Sequence, residues 1–133
     1  MTPIGSNDDY GYKIVVQNDG KIVVAGYSQD GPHTKLAIVR YNEDGILDTG
    51  FNGNGKVTTG FGTGTDDAGL GMALQSNGEI VVAGYSGDGG GFAYDFAVAS
   101  YNSDGTLDTS FGAGGKVTTD FGVGPDIAQS VAL

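Results

Sequence analysis

Asn42, Asp44 and Asp48 cluster around a glycine in the run Asn42-Glu43-Asp44-Gly45-Ile46-Leu47-Asp48, and Asn102, Asp104 and Asp108 repeat the arrangement further along the chain. Oxygen donors at alternate positions, a Gly turn and a later acid are how a loop wraps a hard cation such as calcium. The fit is partial. Arg40 and Ser100 stand where the first acid is expected, and the last ligand is Asp rather than a bidentate Glu. The competing reading is turn chemistry, with Asn and Asp bonding their own backbone and Gly taking a positive φ. Calcium is carried as a candidate, and no other cofactor is expected.

Other reactive constellations are thin. His33 is the single histidine and has no counterpart in the second unit, so it supports neither a metal site nor a Ser-His-Asp relay. Asp66-Asp67 is an acidic pair, but adjacent loop residues do not set two carboxyls at the separation that glycoside hydrolysis needs. The Gly-rich runs 61–64 and 87–91 precede no helix that would cradle a phosphate. Cysteine is absent, which removes disulfides and thiolate chemistry. The chain is therefore expected not to be an enzyme.

Charge narrows the partners. The net charge is −10, and the few cations, among them Lys13, Arg40 and Lys116, are scattered. Phosphate neutralisation needs a basic patch, so nucleic acid is not an expected partner. Anionic membrane surfaces are disfavoured too, and no apolar run is long enough for membrane insertion as a helix. Residues 1–8 carry no signal-peptide pattern.

What must position these residues is a repeat. Residues 17–28 and 75–86 agree at 9 of 12 positions, and residues 41–62 and 101–122 agree at 15 of 22. The shift grows from 58 to 60, which places an insertion between Tyr85 and Phe96. Residues 126–133 match 67–74, so a third copy begins. The units are 1–66, 67–125 and 126–133.

Each unit holds four strand candidates: 10–16, 21–27, 35–41 and 55–61 in the first, and 68–74, 79–85, 96–101 and 115–121 in the second. A further strand is expected at 128–133. Asp19-Gly20 and Asn77-Gly78 between apolar runs predict type I′ hairpins. The segments Ile22-Val23-Val24-Ala25 and Leu36-Ala37-Ile38-Val39 are apolar on both faces, because successive side chains point opposite ways. Lys56-Val57-Thr58-Thr59 alternates and reads as a rim strand. A sheet covered on both faces with a half-exposed edge is a β-propeller blade; a β-solenoid is the alternative. The fold class is all-β, with two four-stranded antiparallel blades plus one extra strand.

The runs Gln-x-(Asn/Asp)-Gly-x-Ile-Val-Val-Ala-Gly, Tyr-Asn-x-Asp-Gly-x-Leu-Asp-Thr-x-Phe and Gly-Lys-Val-Thr-Thr resemble the delta-60 repeat of bacterial surface and secreted proteins, and more distantly NHL-type blades. The resemblance implies a propeller-like fold, a secreted or cell-surface location and no catalytic residues. The first strand departs from it: Tyr12-Lys13-Ile14-Val15-Val16 replaces a small-residue pattern.

Two blades leave an apolar face bare at each end, and large bare apolar patches mark interaction surfaces. A closed homo-oligomer is expected, with three chains giving six blades first and four giving eight second. On the monomer, the second-to-third-strand loops 28–34 and 86–95 and the loops 62–67 and 122–126 share one face. That face collects Tyr27, Asp30, Asp66, Asp67, Tyr85, Asp88 and Tyr94, with Asp8, Asp9 and Asp126 nearby. It is the candidate site for a glycan or protein ligand, set against a merely solvated acidic rim. The primary expectation is a non-catalytic structural or interaction scaffold assembling through blade faces. A ligand-binding propeller, glycan-directed or calcium-assisted, is the alternative.

Overall fold

The computed structural model describes residues 1–90 and 93–133; Gly91 and Phe92, within the expected 86–95 loop and at the end of the 87–91 glycine run, lie outside them. Eight strands follow in order: β1 (Asp9–Val16), β2 (Ile22–Asp30), β3 (His33–Tyr41), β4 (Lys56–Thr59), β5 (Asp66–Leu74), β6 (Ile80–Gly87), β7 (Tyr94–Tyr101) and β8 (Lys116–Thr119). They form two antiparallel sheets, β1-β2-β3-β4 and β5-β6-β7-β8, and there is no helix among the described residues. The four-strand meander per unit is thus present twice.

The β1–β2 turn differs from the predicted type I′. Gly20 donates to the Gln17 carbonyl at 2.9 Å, Gln17 donates to the Lys21 carbonyl at 2.8 Å, and only Gly20 has a positive φ. This is a three-residue loop, a type I turn closed by one left-handed Gly. Asp19 stabilises it by accepting the Lys21 N–H. The same bonds recur at Gln75–Glu79, Asn42–Ile46 and Asn102–Thr106. Four turns therefore share one chemistry, and an acid or amide before the Gly is a structural requirement in each. The expected loop at 28–34 is also corrected. β2 and β3 pair out to Asp30 opposite His33, leaving only Gly31-Pro32 as the turn.

Both sheets carry a bulge in their first strand, between Gly11 and Lys13 and between Gly69 and Gly71. The neighbouring strand answers it with Gly26 or Gly84. A Cβ there would stand 1.7 Å from the Tyr10 carbonyl oxygen or 1.9 Å from that of Ala68, so only glycine fits.

The core lies between the two sheets. The first contributes Val23, Ala25, Leu36, Ile38 and Val57; the second contributes Met72, Ile80, Val82, Ala99 and Tyr101. Pairing places Ala25, Ile38 and Val57 on one face, and Val82 with Ala99 on the face that meets it. Each fully buried Val, Leu, Ile or Met side chain among these contributes about 1.5–3 kcal/mol. β5 packs against β1, β2 and β3. The rim strand behaves as read: Val57 and Thr59 are buried while Thr58 is exposed.

Residues 126–133 are not a strand of a sheet, contrary to expectation. They nevertheless lie where β5 lies in the preceding unit. Ala128 N–H donates to the Gly84 carbonyl at 3.2 Å, and Ser130 backs onto Gly71. β5 is held in its ladder by β6, and among the described residues no strand pairs with this segment.

Candidate functional site

The two ends of the blade pair carry different chemistry. At the end holding the β2–β3 turn, tyrosines gather. Tyr10 and Tyr12 stand 5.1 and 5.9 Å from the Tyr27 ring, and Tyr94 stands 4.7 Å edge-on to Tyr85. Burial raises the Tyr27 phenol, with Tyr12 and Tyr10 adding to it. Burial pushes Tyr85 up to about 12, reinforced by Tyr94, Tyr12, Tyr27 and Asp66. Tyr27, Tyr85, Tyr94 and Asp66 therefore belong to one neighbourhood spanning both units. Tyr10 joins it, as does Tyr12, the first residue of the segment in which the first strand departs from the repeat.

The acids named with them are dispersed. Asp66 Oδ1 lies 3.2 Å from His33 Nδ1 and accepts the Thr34 N–H at 3.1 Å, so it ties the β2–β3 hairpin to β5. Asp30 pairs with Lys35, and Asp88 turns onto the Gly90 N–H. Asp67 is removed from the ligand-facing set, because it is fully buried. Its Oδ2 accepts the Phe61 N–H at 3.0 Å and the Thr65 hydroxyl at 2.9 Å. Asp9 and Asp126 do the same work at their own units, accepting from Ile4 and Gly5, and from Phe121. Burial would raise Asp9, but the Ser28 hydroxyl and those two N–H groups outweigh it and hold its pKa below the ordinary value. These three acids clip the start of β1, of β5 and of the 126–133 segment to the residues before them.

The calcium-like loops resolve as turns. Asp44 and Asp104 accept from the N–H two residues on, and Asp48 and Asp108 accept from Gly50 and Ser110. Asn102 donates to Thr106 and Leu107, and the Asn42 backbone closes its own turn with Ile46. The second Asp48 oxygen takes the Arg40 Nε at 2.7 Å, with Lys21 at 3.6 Å. Among the described residues, only Asp95, Asp120 and Asp126 bring three acidic or His ligand atoms within 4.8 Å of one another. Their counterparts one repeat earlier are Lys35, Gly60 and Asp67, so comparing the repeats position by position would have flagged the trio. Asp120 and Asp126 already accept backbone N–H groups.

The opposite end holds a groove of about 1150 Å³ between the β1–β2 and β5–β6 turns, lined by Gln17, Asp19, Lys21, Arg40, Gln75 and Asp104 among others. Sequence reasoning missed it. The signal was Arg40, which breaks the repeat against Ser100. Arg40 is buried, lies 4.5 Å over the Phe51 ring and donates to the Ser103 carbonyl at 2.6 Å, so it joins the units.

With this geometry, the profile of a family described as a domain of unknown function (DUF5122), beta-propeller, matches residues 17–51 and 75–111. No curated protein matches the chain. The matched stretches run from the three-residue turn through β2 and β3, or β6 and β7, to Phe51 or Phe111, the part of each unit that carries the shared turns.

Proposed function

The chain belongs to the DUF5122 beta-propeller family, and from that premise we propose that it is a non-catalytic scaffold module that assembles with copies of itself through its blade faces. One observation carries the reading. Positions buried where the two units meet are exposed at the ends of the pair: Val57 is 8% exposed and its counterpart Val117 37%, Met72 is 2% exposed and its counterpart Ile14 62%. Apolar side chains repeated in kind but left bare call for a covering surface. Three chains, giving six blades, are the expected assembly, with four the next. Within the family we assign the chain to the delta-60 repeats, acting at the cell surface or after secretion, with no cofactor. Sedimentation equilibrium tests the assembly: a mass of three chains, or four, is expected. A mass of one chain throughout the micromolar range, with cooperative unfolding, removes it.

The tyrosine cluster favours a second reading, a ligand-binding propeller. Tyr10, Tyr12 and Tyr27 combine aromatic bodies with polar tips, the surface a glycan stacks on. Saturable binding on a glycan array, abolished by Tyr27→Ala, would support it. An unchanged melting temperature on adding calcium or chelator would dismiss calcium assistance.

A further inference from the structure

The contacts between the two units specify how a second copy would dock. Tyr101 hydroxyl donates to Thr59 Oγ1 at 2.7 Å, and Asn52 N–H donates to the Asp104 carbonyl at 2.7 Å. The Phe51 ring lies 2.8 Å from where a Cβ on Gly105 would stand. In each contact one partner belongs to the first unit and the other to the second. The repeat supplies the missing counterparts at opposite ends of the chain: Tyr41 at one end and Thr119 at the other, Asp44 and Gly112, Gly45 and Phe111. The space beside Gly45 is open, with nothing within 4 Å of an added Cβ, and Thr119 is exposed.

One slot is contested. In the first unit's contact it is filled by β5; on the second unit it is filled by residues 126–133, through Ala128 on Gly84 and Asp126 N–H on the Tyr94 carbonyl. A second copy docked in the same way would bring its own β1 to that slot. β1 is tied to β2 along its whole length, whereas 126–133 forms no ladder. The weakly held segment gives way.

We infer that a second copy of this chain docks head to tail, its β1 face against the β6–β8 face of the first, and that residues 126–133 compete with the incoming β1. This rests on the self-association reading above. Two different patches meet, so the contact is heterologous and one broken end leaves the other usable.

That asymmetry is the test. Ile14→Asp breaks the β1 end and Val117→Asp breaks the β8 end; both side chains are exposed, so each variant is expected to keep the wild-type circular dichroism and cooperative melt. Each alone should sediment as one chain, and a 1:1 mixture should give a dimer through the two intact ends. Tyr12→Asp with Thr119→Arg forms a second pair should either first variant misfold. Deleting residues 126–133 should tighten association several-fold. Wild-type self-association with no dimer in the mixture, or association unaffected by the single variants, overturns the docking mode while leaving assembly itself standing. Weaker association after the deletion overturns the competition. A wild-type chain and a deletion variant that both remain single chains remove the underlying reading as well.

Discussion

β1 and β5 occupy the same place in their sheets, with the same antiparallel partner, the same register and the same bulge. β5 is nevertheless largely buried and β1 largely exposed. The difference is written in their side chains. β5 reads Asp-Asp-Ala-Gly-Leu-Gly-Met-Ala-Leu, and a Cβ on Gly69 would come within 2.6 Å of Val82 and 3.3 Å of Leu36. A strand squeezed between two sheets must be small where they press on it. β1 keeps a glycine, Gly11, at the place of Gly69, but carries Tyr10 and Lys13 where β5 has the small Ala68 and Gly71, and Tyr12 and Ile14 where β5 has Leu70 and Met72, with no sheet pressing on its outer side. Equal backbones thus support unequal surfaces, and the surfaces, not the ladders, distinguish an internal strand from an end strand.

The sharpest way to break the comparison is to truncate the paired positions. Met72→Ala should destabilise by about 2–4 kcal/mol, as removal of a buried side chain does, whereas Ile14→Ala should change stability by under about 0.5 kcal/mol in the dilute single chain. Denaturant unfolding at low protein concentration measures both. Equal losses would mean that β1 is covered after all.

The joints between units give a second contrast. Arg40→Ser, which copies the second unit's residue into the first, strands Asp48 and should cost about 3 kcal/mol. Thermal melts should show it, and adding Asp48→Asn should recover part of the loss. Tyr101→Phe removes the hydroxyl bonded to Thr59 and should cost about 1 kcal/mol. Tyr41→Phe at the open end should leave the midpoint unmoved.

The smallest effect is on pH. Burial alone would raise Asp48, but the Gly50 N–H, Arg40 and Lys21 outweigh it, so its pKa lies below the ordinary value. A depressed folded pKa gives stability that is full above the unfolded value of about 3.9 and is lost as pH falls through the lower folded value. Asp48→Asn should therefore flatten the acid limb of a stability profile below about pH 4. Asp108, lowered by the Ser110 hydroxyl and N–H and lying on the surface, should alter it less when changed to Asn.

Much of this architecture could be read from residues. The run Leu36-Ala37-Ile38-Val39 is apolar on both faces and all four residues are buried, whereas Ile22 and Val24 of the neighbouring run are only half-buried. Asp44-Gly45 and Asp104-Gly105 announced turns. Their kinship with Asp19-Gly20 did not reveal the turn type, because Asp-Gly serves both two- and three-residue hairpins and only the φ angles separate them. At the candidate site, Tyr27, Tyr85, Tyr94 and Asp66 were legible as neighbours because the loops after each second strand and those between units emerge on one face. Asp67 was misjudged as ligand-facing. It follows Asp66 in the chain, but alternation along β5 turns one carboxylate toward His33 and the other inward to Phe61.

The sequence by itself determined the repeat, the four strands of each unit, the turn glycines and the double-sided hydrophobicity of the sheets, because these follow from local periodicity and backbone sterics. Tertiary structure alone decided which carboxylates became clips, that Arg40 joins two units across the Phe51 ring, and which of two like strands is covered. Those outcomes depend on what lies across a gap from each side chain, and residues far apart in the chain supply it.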